Sequence, residues 1–216
     1  MAFGADHVEA AGLEHDLAEL LERLVEHWPG PIAELALLGH SMGGLVAARF
    51  LAEGLRSPPA AWARPVEALV LSSPALAADT NAAQKLLLAT LGRLAPGLAV
   101  SNGLKPEWIS RDAAVVAAYV ADPLVHERIT PRLARFILDG GELVRHLAPL
   151  WRVPTLLLWA GADRCVAPRG SAAFAQAAPP GIVQAQVFPA LYHEIFNEPE
   201  RAQVLERLLA GLRALA

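Results

Sequence analysis

The pentapeptide Gly39-His40-Ser41-Met42-Gly43 constrains this chain more than any other feature, because of what flanks it. Residues 32–38 form a short apolar run, as a buried strand does, and residues 45–55 carry a helical pattern. A strand that passes into a helix through Gly-x-Ser-x-Gly must turn sharply, and small residues at positions 39 and 43 let the backbone pass close to its neighbours. The serine hydroxyl then projects alone from the turn. The helix N-terminus offers the Met42 N–H to a developing negative charge beside it. A glycine-rich turn with an incidental serine would carry the same letters, but the strand and helix on either side argue against it.

The rest of the chain repeats the alternation. Residues 13–28 read as an amphipathic helix, with Leu13, Leu17, Leu20, Leu21 and Leu24 at helical spacing and Trp28-Pro29-Gly30-Pro31 as its stop. Apolar strands are expected at 66–71, 154–159 and 182–188, and helices at 171–178 and 199–215. Nearly all-apolar strands separated by helices predict an α/β fold, with a mostly parallel sheet covered on both faces. Residues 75–150 interrupt that pattern. They carry no clear strand, but Asp112 precedes a helical run at 113–121, and Thr130-Pro131 is a helix start. The expected organisation is therefore a core of residues 1–74 and 151–216, with a helical cap of residues 75–150 inserted between two strands.

A serine hydroxyl attacks poorly until a base takes its proton. A carboxylate and a histidine follow Ser41 at suitable places. Asp163 comes just after the 154–159 strand, and His193 just after the 182–188 strand. Both lie past the carboxyl ends of strands, where open parallel sheets bind ligands. Each alone reads equally well as a turn aspartate or a surface histidine; their joint position after Ser41 favours a nucleophile, acid and base set. His40 is expected to pack or hydrogen-bond beneath Ser41. His7, His15 and His27 are read as solvent-facing, and His126 and His146 lack metal-ligand spacing. No metal and no cofactor is expected.

Bulk properties narrow the partners. A net charge of −4 and a pI near 6.0 give no basic footprint for nucleic acid. The single cysteine, Cys165, excludes an internal disulfide and a multi-cysteine metal site, and reads as a small buried hydrophobe. No apolar stretch reaches about 18 residues, and residues 1–15 lack a signal-peptide pattern, so the expected location is the cytoplasm. An apolar content of 54% leaves room for a greasy surface that makes transient contact with a membrane.

These residues together resemble a known group. Gly39-His40-Ser41-Met42-Gly43-Gly44 is similar to the nucleophile turn of the monoacylglycerol lipase and lysophospholipase family of α/β-hydrolases. Ile109-Ser110-Arg111-Asp112 and Ala121-Asp122-Pro123-Leu124-Val125 resemble its cap segments. Gly161-Ala162-Asp163 resembles its acid loop, and Tyr192-His193-Glu194-Ile195-Phe196-Asn197-Glu198 its histidine segment. The resemblance runs from about residue 13 to the C-terminus. It implies a cofactor-free hydrolysis of fatty acyl esters through an acyl-serine intermediate. Ser41, Asp163 and His193 would form the triad, Met42 would donate to the oxyanion, and an apolar tunnel under the cap would take the acyl chain.

One departure from the family pattern carries expectations of its own. The family places further strands ahead of residue 13, including a His-Gly loop whose N–H is a second oxyanion donor, and residues 1–12 contain no such loop. The sheet is expected to have about four long strands, with 32–38 at an exposed edge that invites self-association. A weakly active or non-catalytic remnant that binds lipid or a partner is the alternative reading. A dehalogenase or epoxide hydrolase is disfavoured, because the turn carries serine rather than aspartate.

Overall fold

The structure, a computed structural model, describes residues 12–30, 35–79, 88 and 90–215. In chain order, α1 (Gly12–His27) leads to β1 (Ala36–His40), α2 (Ser41–Gly54) and β2 (Ala68–Ser72). Next come β3 (Val100–Ser101), α3 (Ala113–Ala121), β4 (Arg128–Ile129) and α4 (Pro131–Leu147). The chain closes with β5 (Thr155–Ala160), α5 (Pro168–Ala177), β6 (Val183–Phe188) and α6 (Arg201–Leu215). Four of the strands form one parallel sheet in the order β1-β2-β5-β6. In its register Gly39 lies opposite Leu71, and Ala160 lies opposite Phe188. The carboxyl ends of these strands therefore sit side by side, and Ser41, Asp163 and His193 all leave from that edge.

The two-residue period of the strands divides the core. Leu69, Leu71, Leu157 and Trp159 face one way, toward Leu45, Phe50, Phe136, Trp151 and Phe174. Val70, Leu156, Leu158 and Ala160 face the other way, toward Leu191, Ile195 and Val204. Complete burial is worth about 1.5–3 kcal/mol for each large apolar side chain, so these two clusters carry most of the cohesion. Where Trp151 enters the core its indole N–H donates to Thr155 Oγ1 at 2.9 Å, and its ring meets Phe174 edge-on at 4.9 Å. The carboxylate of Glu14 on α1 is fully buried, 2.9 Å from Arg49 Nε on α2. The Arg49 guanidinium in turn lies 4.6 Å from the centre of the Phe136 ring on α4, so one ion pair ties three helices together. Burial raises the Glu14 pKa, and Arg49 opposes the shift.

Three expectations need correction. The sheet is covered on both faces only at its centre: every residue of β2 and β5 is buried, whereas Ala36 and Leu38 of β1 and Ala185 and Gln186 of β6 are exposed. Edge strands have a neighbour on one side only, which leaves more of their surface open to solvent. Residues 75–150 do contain strands. β3 and β4 pair antiparallel through Val100–Ile129 and Ser101–Arg128, and two residues each are too few for any periodicity to register. Helix α2 begins at Ser41, four residues before its expected start, because the serine itself opens the first turn. The helix starts in 75–150 fall where expected, with Asp112 Oδ1 accepting from the Ala114 N–H at 2.9 Å and Thr130 Oγ1 from the Leu133 N–H at 3.2 Å. Part of the expected 32–38 strand and all of residues 1–11 lie outside the described residues.

The β1–α2 turn tests the demand for small residues. A methyl group at Gly39 would come within 2.6 Å of the Gly43 carbonyl oxygen and 2.7 Å of Gly44 Cα. At Gly44 it would meet the Gly39 carbonyl and Pro74, both at 3.0 Å. At Gly43 it would meet nothing within 4 Å, so steric necessity falls on positions 39 and 44 and not on 43. Gly39→Ala should therefore cost about 1–3 kcal/mol in urea unfolding. Gly43→Ala should be neutral, or stabilising by up to about 1 kcal/mol through better helix propensity. Equal effects from both changes would contradict this account of the turn.

Candidate active site

Ser41 occupies the left-handed region with φ of +53°, which costs a non-glycine residue about 1–3 kcal/mol. A contact distant in sequence helps hold it there: the Ser41 carbonyl accepts from the Ala75 N–H at 2.9 Å, just past the end of β2. The strain aims Oγ at the histidine segment. His193 Nε2 lies 2.8 Å from Ser41 Oγ, and His193 Nδ1 lies 2.7 Å from Asp163 Oδ2. The second Asp163 oxygen accepts the N–H groups of Cys165 at 2.8 Å and Val166 at 3.0 Å, which fixes the carboxylate plane. The Asp163 side chain is 1% exposed and that of His193 is 7% exposed. The structure thus brings Ser41, His193 and Asp163 into one hydrogen-bonded line.

Met42 is the second residue of α2, so its N–H has no partner within the helix. His40, at the N-cap, makes no side-chain capping bond. Its ring turns instead toward Ser72 Oγ, 3.0 Å from Nδ1, and packs 4.9 Å from the His193 ring. Its Nε2 lies 3.5 Å from Glu194 Oε1. That neighbour is the main cause that holds the Glu194 carboxyl below its ordinary pKa; burial opposes it, and His193 and Asn197 assist. The expected absence of a second donor among residues 1–12 falls, Gly12 apart, outside the described residues.

A cavity of about 600 Å³ opens over Ser41. Its floor includes His40, Ser41, Met42 and His193, and its largely apolar walls come from the stretch between β2 and β5, among them Leu104, Ile109, Leu133 and Ile137. His126, which has no metal-ligand spacing in the sequence, lines this cavity as well. His15 is exposed as expected, but its ring rests 5.7 Å from that of Trp62.

Cys165 is only partly buried and forms part of the cavity wall, so it is not the enclosed hydrophobe the sequence suggests. Burial, with Asp163 and Glu194 nearby, pushes its thiol up to about 12. A ligand atom from each of Asp163, Cys165 and His193 lies within 4.8 Å of the others. A cation there would compete with the Asp163–His193 hydrogen bond and would need a thiolate that this environment disfavours. The Cys165 thiol should accordingly react with iodoacetamide at pH 8 more slowly than free cysteine. A rate equal to that of the free amino acid would show that the thiol is not suppressed.

Two carboxylates carry the surroundings of the site and were given no role by sequence reasoning. Glu194 is one. The other is Glu198, a fully buried residue whose Oε1 accepts from Ser110 Oγ at 2.7 Å and the Arg111 N–H at 2.6 Å. Its Oε2 accepts from Arg111 Nε at 2.6 Å and the Tyr192 N–H at 3.0 Å. Burial pushes this carboxyl up, but the bonds from Arg111, Tyr192 and Ser110 outweigh it and leave the pKa below the ordinary value. All four partners lie in the segments Ile109–Asp112 and Tyr192–Glu198, where charged residues among apolar ones were the available signal.

A parallel sheet with a serine, a histidine and a carboxylate aligned at its carboxyl edge defines an α/β hydrolase. Comparison with known proteins agrees and is more specific. The family described as "Serine aminopeptidase, S33" matches residues 8–200, and the chain belongs to it. The chain is 37% identical over 179 residues to the monoacylglycerol lipase of Mycolicibacterium smegmatis, an alignment covering 82% of this chain and 61% of the relative. It is 34% identical over 174 residues to the phospholipase YtpA of Bacillus subtilis, covering 79% and 64%. The chain thus spans less than two thirds of the length of these relatives. Among solved structures, the Paleococcus ferrophilus monoacylglycerol lipase superposes with a TM-score of 0.79 at 32% identity, over 94% of this chain and 76% of that one. Among the described residues, no helix is long and apolar enough to cross a membrane.

Proposed function

We propose that the chain hydrolyses carboxylic esters, with Ser41 as nucleophile, His193 as general base and acid, and Asp163 as the group that orients the imidazole and stabilises its charged form. One observation carries this reading: the line from Ser41 Oγ through His193 to Asp163 Oδ2, with steps of 2.8 and 2.7 Å, at the floor of a largely apolar cavity. His193 Nε2 takes the Ser41 proton as Oγ bonds to the ester carbonyl carbon, and the carbonyl electron pair moves onto oxygen. The Met42 N–H, in the uncapped first turn of α2, donates to that oxyanion. When the carbonyl re-forms, the C–O bond to the alcohol breaks and His193 returns its proton to the leaving oxygen. A water deprotonated by His193 then cleaves the acyl-serine and restores Ser41. These steps call on no cofactor.

The substrates we propose are fatty acyl esters such as monoacylglycerols or lysophospholipids. The apolar cavity walls favour them, as do the lipase and phospholipase names of the relatives. A short-chain ester or a peptide on the same three residues would leave most of those walls unused. In this reading residues 75–150 act as a cap over a core formed by 1–74 and 151–216, and the acyl chain lies between them. Exposed Leu94, Leu98 and Leu124 give that cap a greasy outer surface for transient contact with a membrane that holds the substrate. β1 pairs only with β2 among the described residues, and its Leu38 is 57% exposed. We propose this edge as a route to self-association. In sedimentation velocity the chain should then populate dimers or larger species, and Leu38→Glu should shift it toward monomer; a monomer at every concentration would exclude the edge as a contact.

Ser41→Ala should abolish both ester turnover and labelling by a fluorophosphonate probe, because only an activated serine reacts. In a series of monoacylglycerols, kcat/KM should rise with chain length at first, by up to about four-fold for each methylene, the factor equivalent to about 0.8 kcal/mol. A preference for acetyl esters would exclude the acyl-chain assignment. Absence of labelling in the unaltered chain would favour a remnant that binds lipid or a partner without turnover.

A further inference from the structure

His193 is held on one side by Glu198, itself bonded to the stretch inserted between β2 and β5, and on the other by that stretch directly. The residue before it is anchored through the Tyr192 N–H, which donates to Glu198 Oε2 at 3.0 Å. The peptide after it is anchored through the Glu194 N–H, which donates to the Ile109 carbonyl at 2.8 Å. Glu198 closes the circuit, since its two oxygens also take Ser110 Oγ and both the backbone N–H and the Nε of Arg111, at 2.6–2.7 Å. Arg111 is paired further with Glu200. A fully buried carboxylate with four donors is a rigid junction, because every lone pair it turns away from solvent is occupied. The junction meets the cavity as well: Ile109 is part of the cavity wall.

We infer that Glu198 is a positioning residue for His193, one that fixes the imidazole from the side of the insertion by tying Ser110 and Arg111 to the residue ahead of it. This rests on the reading of His193 as the base of Ser41. Two consequences follow from the geometry. The imidazole keeps its distance to Ser41 only while the insertion is docked, so a displaced insertion leaves a misaligned base. A ligand that presses on Ile109 acts on the same segment that carries the Glu194 anchor. Glu198 bonds to Ser110, Arg111 and Tyr192 and not to Ser41 or His193, so its influence runs through the backbone of residues 192–194.

The test is Glu198→Gln in the full chain. Glutamine keeps the volume but retains only one acceptor oxygen for the four donors, and it turns an NH₂ group toward the others. Two readouts separate positioning from mere cohesion. The first does not need turnover: in proton NMR, the downfield His193 Nδ1–H resonance of the Asp163 hydrogen bond should broaden or disappear in the variant below its unfolding temperature. The second is kinetic: with a soluble ester, kcat should fall by about 10- to 100-fold with KM changed far less, as expected when reacting groups are misplaced by a fraction of an ångström to an ångström. Arg111→Lys, which keeps the charge but loses Nε, should move both readouts in the same direction by less, and it serves if Glu198→Gln does not fold. A lowered Tm with an unchanged Nδ1–H signal and unchanged kcat would overturn the inference and leave Glu198 a purely structural ion pair. A chain that neither hydrolyses esters nor labels at Ser41 would overturn the esterase reading instead, while the NMR comparison would still decide the role of Glu198.

Discussion

The turn from β1 into α2 is the constraint on which the rest of this site depends. Ser41 sits at a φ of +53°, a conformation that an L-residue adopts only when its surroundings over-determine it. The surroundings do so by close approach. Gly39 lies where a Cβ would strike the Gly43 carbonyl, and Gly44 lies against Pro74 of the following strand's exit. The strain stored at Ser41 is offset by a sheet whose centre is buried on both faces, with β2 hydrogen-bonded between β1 and β5. The cohesion of the core thus holds the Ser41 side chain against His193, in an orientation that the local chain would not choose.

The partners of Ser41 come from loops that the sheet alone would leave independent. Contacts between those loops make them one unit. The Ala162 N–H donates to the Leu191 carbonyl at 3.1 Å, and the Gly161 N–H donates to the Phe188 carbonyl at 2.8 Å. Gly161 packs so closely on Pro189 that a side chain there would meet its backbone at 2.6 Å. The acid loop and the histidine loop therefore move together. Asp163 spends one oxygen on the turn that holds it, through Cys165 and Val166, and the other on His193. A buried carboxylate needs all its acceptor positions satisfied, and this division meets that need while it orients the imidazole.

The stretch between β2 and β5 has two faces of consequence. One supplies the apolar walls of the cavity over Ser41. The other is bound to the histidine segment by Glu198 and by the Ile109 carbonyl. A separate lid on flexible hinges would need no such junction. Here the cavity wall and the loop that carries His193 share hydrogen bonds, which ties the wall to the position of the imidazole.

Much of this was legible in the chain itself, and for a definable reason. Parallel strands buried on both faces are short apolar runs, and helices that cover them are amphipathic, so both periods survive in the letters; Gly39-His40-Ser41-Met42-Gly43 marked the turn, and Asp163 and His193 stood just past strand ends. The local signals for caps at Asp112 and Thr130 were equally direct, because a cap is decided within four residues. What only the tertiary structure decided depends on partners distant in sequence. The two-residue strands β3 and β4 exist through pairing with each other across 27–29 residues and have no period to read. The freedom at Gly43, the exposure of the edge strands and the place of Cys165 in a cavity wall are set by what packs nearby. Glu198 has the letters of an ordinary surface acid near a proline. It becomes a buried junction only because Ser110 and Arg111, 87–88 residues earlier, are folded against it and supply the donors that make burial of its charge tolerable.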